Sequence, residues 1–311
     1  MTTLLWATHP RHLPKPPAGT TVVLDVAFAA SSQWKTKTRP FIDSLGSRLL
    51  RWVDHHEHRE GWPCYAADPR FLLVPNRQAH ACPELVTAEL VASVPVPDVI
   101  VAHRDFDGVI SAAKWLRRGR EPWEGADEDA RAIDSPGRGH HLTEVGARIA
   151  SALDEASARF ERREELEFAS RVTRAIVAGE RDPALEDEID TLAQAARAAE
   201  DEARKIVEAR GRLEAPGVFV VRMDAKQENR MRRNLLVFAE ERAPIGALFE
   251  PDPQGGAWLT AATFDERFDL EEVQGFEGGR SDYRFARAHH GGEELVEALS
   301  RYAVATTSFS R

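Results

Sequence analysis

Three short apolar runs in this chain each stop at residues that bind cations. Thr21-Val22-Val23-Leu24 leads into Asp25, and Leu49-Leu50-Arg51-Trp52-Val53 leads into Asp54-His55-His56. Val99-Ile100-Val101-Ala102 leads into His103-Arg104-Asp105-Phe106-Asp107-Gly108. Runs of this length, rich in β-branched residues and without alternation, read as strands buried on both faces of a parallel sheet. In such sheets ligands bind just outside the carboxyl ends of the strands. Carboxylates and imidazoles delivered there from three strands converge on one small volume. Left alone they repel one another in a poorly solvated place, and divalent cations are the usual remedy.

The rest of the composition narrows the classes open to the chain. Its 311 residues suit two domains, or one domain with an extension, and 42% hydrophobic content is enough to build real cores. A formal net charge of −10 argues against gripping nucleic acid through a broad basic surface. It leaves room for a short anionic substrate held by a local basic pocket and metals. Cys64 and Cys82 are the only cysteines and are far apart, which excludes a cysteine-based zinc site and a disulfide framework. Residues 1–17 offer only Leu4-Leu5-Trp6 as an apolar patch, so neither a signal peptide nor a membrane span is expected there. The expectation is a cytoplasmic protein with no membrane partner.

The predicted organisation is α/β throughout. Residues 1–142 alternate strand-like and helix-like segments, with helices expected within 34–51, over 83–91 and after Gly108. Arg117-Arg118-Gly119 supplies cations and a glycine suited to ending the last of these. Residues 143–212 are rich in alanine, glutamate and arginine and predict two or three long helices broken around 179–183. They read as a helical connector with solvated charged faces, and as the surface a homodimer would use. Residues 213–311 predict a smaller α/β domain. Its strands are expected at 218–223, 245–249, 257–263 and 283–288, and its helices at 227–241 and 293–303.

Asp54-His55-His56 at one strand end, matched by His103-x-Asp105-x-Asp107-Gly108 at another, resembles the DHH phosphoesterase superfamily. The second element, followed by Ser111-Ala112-Ala113, is similar to that family's first motif, and Leu24-Asp25 to its second. These motifs span roughly the first 140 residues. The element containing His103 normally precedes the other two; here it follows them, so the catalytic domain looks circularly permuted. Gly275-Phe276-Glu277-Gly278-Gly279-Arg280 resembles a variant of the glycine-rich loop in the domain that accompanies many such enzymes. Arg280 stands where those enzymes usually have histidine, unless His289-His290 supplies the equivalent contact.

The resemblance implies a two-metal phosphohydrolase acting on short oligonucleotides or small nucleotide phosphates. His103, Asp105 and Asp25 would hold one ion; Asp107, Asp25, His55 and Asp134 would hold the other. Asp98 and Asp129 rival Asp134 for the last position. Mixed imidazole and carboxylate ligands suit two Mn2+ ions, with Mg2+ as the alternative. His56 would act on the scissile phosphate or the leaving group, oriented by Asp54. In the C-terminal domain Gly278, Gly279, Arg280, His289 and His290 are the substrate-binding candidates. Arg230, Arg232, Arg233, Arg284 and Arg287 add positive charge nearby in sequence. A RecJ-like single-strand exonuclease, a cyclic-dinucleotide phosphodiesterase and an inactive nucleotide sensor or scaffold are the alternatives.

Overall fold

The computed structural model describes residues 2–135, 140–265, 267–273, 277–278, 285–289 and 293–308. The chain divides into two compact units, residues 1–135 with 139–196 and residues 136–138 with 197–311.

The first unit is built on β1 (Thr3–Ala7), β2 (Thr21–Leu24), β3 (Leu49–Asp54), β4 (Phe71–Leu73) and β5 (Val99–His103). All neighbouring pairs are parallel, in the order β1-β5-β2-β3-β4. The three strands expected from the sequence are therefore side by side in the middle of the sheet. Leu24 pairs with both Val53 and Ala102, so Asp25, Asp54 and His103 leave the sheet at one level. The edge strands β1 and β4 were not expected. An apolar patch as short as Leu4-Leu5-Trp6 shows no periodicity, and only pairing with β5 makes it a strand.

Alternation along the strands supplies two buried faces. Val22, Leu24, Val53, Ile100 and Ala102 point to one, and Val23, Trp52, Val99 and Val101 to the other. The second face is covered by α1 (Thr38–Leu45), through Phe41, Ile42 and Leu45, together with Phe28 and Trp34. This helix is shorter than expected because Gly46, at φ 54°, ends it. The helix expected over 83–91 is also divided. A 3-10 turn occupies Cys82–Leu85, and Thr87 then caps α2 (Ala88–Ala92) by accepting from the Leu90 N–H.

The first face is packed by α3 (Phe106–Leu116), α4 (Ala126–Asp134), α5 (Glu144–Arg159), α6 (Arg162–Ala178) and the first part of α7 (Pro183–Arg210). Ile149, Leu153, Phe168, Val172, Leu185, Ile189 and Leu192 all enter the core that contains Leu24 and Ile100. This corrects the connector expected at 143–212: residues 143–196 belong to the first unit, and α7 alone continues into the second. The alanines that make the segment look like a free-standing helical array are what lets its helices lie close together. No helix among the described residues is long and apolar enough to cross a membrane.

The second unit has β6 (Gly211–Ala215), β7 (Val218–Arg222), β8 (Ile245–Pro251), β9 (Ala257–Ala262), β10 (Glu277–Gly278) and β11 (Phe285–His289), in the order β10-β11-β9-β8-β7-β6. Only the β7–β8 pair is parallel among the described strands. On one face α9 (Glu293–Ser308) packs Leu295, Val296 and Leu299 against Val220, Ile245 and Leu259. On the other, α8 (Asn229–Glu240) and the end of α7 bring Leu235, Leu236 and Val207 to Val221 and Leu248. Arg232 does not present its charge to an open surface. Its Nε lies 2.9 Å from Oε2 of the fully buried Glu250, and its Nη2 donates to the Gln227 carbonyl.

Candidate metal centre

The site grows from the ends of β2, β3 and β5. Asp25 is fully buried and sits at φ 57°, in the left-handed region that non-glycine residues enter rarely and aspartate more readily than most. Its N–H donates to the Val53 carbonyl at 2.9 Å, so the turn leaving β2 is tied to β3. After β5 the chain passes directly into α3, with Asp105 as the N-cap accepting from the Gly108 N–H. Gly108 is required by close approach. A Cβ there would lie 2.2 Å from the His103 carbonyl oxygen and 3.1 Å from Asp25 Oδ2.

These elements bring the expected residues together. His55 Nε2 is 3.4 Å from Asp25 Oδ1, 3.4 Å from Asp107 Oδ2 and 3.8 Å from Asp134 Oδ2. His103 Nδ1 is 2.6 Å from Asp105 Oδ2 and 3.9 Å from Asp25 Oδ2. His56 Nδ1 is 2.9 Å from Asp54 Oδ1 and 3.6 Å from Asp25 Oδ1. Potential ligand atoms lie within 4.8 Å of one another in three sets: Asp25, His55 and His56; Asp25, His103 and Asp105; His55, Asp107 and Asp134. The two oxygens of Asp25 have different nearest imidazoles, Oδ1 that of His55 and Oδ2 that of His103.

The electrostatics are those of a cluster built for a cation. Burial, then the carboxylates of Asp107, Asp105 and Asp54, push Asp25 well above the ordinary carboxyl range. Burial and Asp105 push Asp107 upward as well. Burial pulls His55 down, but the close approach of Asp107 and the charges of Asp134 and Asp107 outweigh that and carry it to about 10. Burial likewise opposes the charged forms of His103 and Asp105. Their mutual attraction wins, raising the imidazole and holding the carboxyl below its usual range. Both oxygens of Asp25, Asp54 Oδ2 and His55 Nε2 are buried without a hydrogen bond among the described residues. Buried polar atoms are nearly always satisfied, so the orphaned Asp25 Oδ1 and His55 Nε2, 3.4 Å apart, fit a divalent cation.

The remaining candidates separate cleanly. Asp134 is where a ligand is needed, at the end of helix α4. Asp98 instead accepts from the N–H and hydroxyl of Thr20, away from the site. Asp129 is buried and occupied by Trp123 Nε1 and by the N–H and hydroxyl of Thr143. His58 is a satisfied core histidine, with Nδ1 accepting from the Gly61 N–H and Nε2 donating to the Ala29 carbonyl.

In the second unit Gly278 pairs with Ala286 in the β10–β11 ladder. The His289 ring lies tilted against Trp258, with centroids 4.4 Å apart, and its Nε2 is 2.8 Å from Asp252 Oδ2. Gly279, Arg280, His290 and Arg284 lie outside the described residues.

Several contributors carried no signal in the sequence. The Ala79 carbonyl lies 3.1 Å from His55 Nδ1, and the Asn76 amide 3.3 Å from the same atom. The Cys82 N–H donates to Asp107 Oδ2 at 3.4 Å. Burial and the charge of Asp25 push the Cys82 thiol well up. Asn76 and Ala79 belong to the irregular segment after β4, and Cys82 opens the 3-10 turn that follows it, where no periodicity marks one position above another.

No protein-family model and no curated protein matches the sequence. Among solved structures, the chain is similar to the pGpG-specific phosphodiesterase PggH from Vibrio cholerae, with TM-score 0.45 and 11% identity over 93% of this chain and 99% of that one. It is also similar to exonuclease RecJ bound to manganese, with TM-score 0.43 and 13% identity over 93% and 75%. An exopolyphosphatase-related protein from Bacteroides fragilis gives TM-score 0.42 and 8% identity over 94% and 73%. These are distant likenesses, and the functional reading rests on the geometry of the site itself.

Proposed function

We propose that this chain is a divalent-metal-dependent phosphoesterase of the DHH type, hydrolysing short oligonucleotides or small nucleotide phosphates. The observation that carries this reading is the overlap of the ligand sets. Asp25 belongs to two of them, and its two oxygens face different partners. A carboxylate placed in that way would suit a pair of closely spaced cations, one on either side. His103, Asp105 and Asp25 would hold one cation, and His55, Asp107, Asp134 and Asp25 the other. Two imidazoles among these donors favour Mn2+ over Mg2+. Such a pair supplies an activated water and neutralises charge on the phosphoryl group.

The chain's own residues supply orientation and proton handling. Asp54, fully buried, holds His56 twice: Oδ1 accepts from the His56 N–H at 3.2 Å and from Nδ1 at 2.9 Å. That fixes the ring with Nδ1 protonated and leaves Nε2 for the substrate. The His56 side chain is 34% exposed where His55 is wholly enclosed, so His56 is the imidazole that reaches a phosphoryl oxygen or holds a proton for the leaving group. The acidic net charge supports a short substrate over a long strand tracked along a basic groove.

The test is hydrolysis of di- to pentanucleotide RNA and DNA, a long single strand and cyclic dinucleotides, each with Mn2+, Mg2+ or chelator. Mn2+-dependent cleavage of the short substrates, lost in Asp105→Ala, is the expected outcome. Preference for the long strand or the cyclic compounds would replace the substrate class. Metal binding without turnover on any member would make the chain a sensor.

A further inference from the structure

His55 meets its surroundings through two ring nitrogens, and the side away from the carboxylates contains an inconsistency that points to a positioning residue. Nδ1 lies 3.1 Å from the Ala79 carbonyl oxygen, which can only accept, so Nδ1 must carry a proton to satisfy that contact. The same Nδ1 lies 3.3 Å from Asn76 Nδ2, which can only donate. Two donors do not bond. Meanwhile Asn76 Oδ1 is buried with no hydrogen bond among the described residues, on a residue only 8% exposed. The two ends of an amide are interchanged by a half-turn about its terminal bond. Turned in that way, Oδ1 faces His55 and the Nδ1–H is shared between two acceptors.

We infer that Asn76 is a positioning residue that, with the Ala79 carbonyl, fixes the proton of His55 on Nδ1 and so presents the Nε2 lone pair to a divalent cation. The inference rests on the metal reading of the site. The geometry around it is built to keep these acceptors in place. The Val74 N–H donates to the Asp54 carbonyl where the segment begins, and the Cys82 N–H donates to Asp107 Oδ2 where it ends. Ser135, next to Asp134, donates its hydroxyl to the His80 carbonyl. The segment carrying Asn76 and Ala79 is thus pinned to the same strand and the same carboxylates that surround Nε2. Hydrogen-bond partners on the far nitrogen of a ligating histidine set its tautomer and typically change metal affinity by about 10–100-fold.

Asparagine and aspartate at this position distinguish which end of the amide matters. An aspartate keeps the acceptor and loses the donor. Mn2+ affinity of the full chain, read by the free-ion electron paramagnetic resonance signal, is therefore expected to fall by about 10–100-fold in Asn76→Ala and to be largely kept in Asn76→Asp. Nitrogen-15 spectra of the Mg2+-loaded wild type should show His55 protonated at Nδ1. Equal weakening in both variants, unchanged affinity in both, or a proton on Nε2 would overturn the inference. If Asn76→Ala does not fold, the aspartate variant and the wild-type spectrum still decide. A wild type that binds no divalent cation would instead overturn the proposed function, so the two failures are distinguishable.

Discussion

Asp25 holds three roles that conflict unless a cation is present: fully buried, in a left-handed backbone conformation, and facing several other carboxylates. Because burial and those carboxylates raise it, the folded chain holds its proton more tightly than the unfolded chain does. The stability of the metal-free protein therefore falls as pH rises above the ordinary carboxyl range. Asp25→Asn removes that contribution. In chelator the variant should melt higher than wild type at about pH 8, and the gap should narrow towards pH 5. The same substitution should cut Mn2+-dependent hydrolysis by at least ~100-fold. Thermal melts across that range, beside an activity assay, check both halves; a variant that melts lower at every pH would show that the carboxylate is structural. At this scale the sequence was informative, because Asp54, His55 and His56 are consecutive polar residues after an apolar run, an arrangement that is costly without a ligand. Asn76 and the Ala79 carbonyl were not legible. A backbone carbonyl leaves no mark on residue identity, and Asn76 lies in a segment without a pattern.

Elements were legible in proportion to the strength of their residue pattern. β2, β3 and β5 announce themselves by β-branched runs, whereas β1 and β4 exist because a neighbour pairs with them. Helix α4 carries little signal in the sequence because Ala130, Ala132 and Ile133 are too few to fix a period. Residues 143–196 were legible as helices but not as part of a core, since alanine faces give little hydrophobic signal while allowing close approach. Phe168, fully buried on α6, tests that placement: Phe168→Ala should cost about 3–5 kcal/mol in denaturant unfolding. A cost near zero would return the segment to the role of a solvated connector. In the second unit Arg232 ties α8 to β8 through Glu250. Arg232→Met would strand that buried carboxylate and should cost about 3–5 kcal/mol, measured in the same way, whereas a surface phosphate-binding arginine would cost almost nothing.

For the whole molecule, the order of motifs along the chain matters less than the order of strands in space. β5 comes last of the three in sequence yet lies beside β2, with β3 on the other side. A parallel sheet sends all its carboxyl ends to one edge, so strands taken in this order still deliver Asp25, His55, His103, Asp105 and Asp107 to one place. That convergence is what three ligand-ended apolar runs imply in a parallel sheet; the strand order that delivers it comes from the structure. The most direct measurement is a Mn2+ titration of the full chain, counting bound ions in wild type, Asp25→Asn and Asp105→Ala. Two ions per wild-type chain are expected, with loss at both positions in Asp25→Asn and at one in Asp105→Ala. A single ion per wild-type chain, or two that survive Asp25→Asn, would contradict a centre bridged by Asp25.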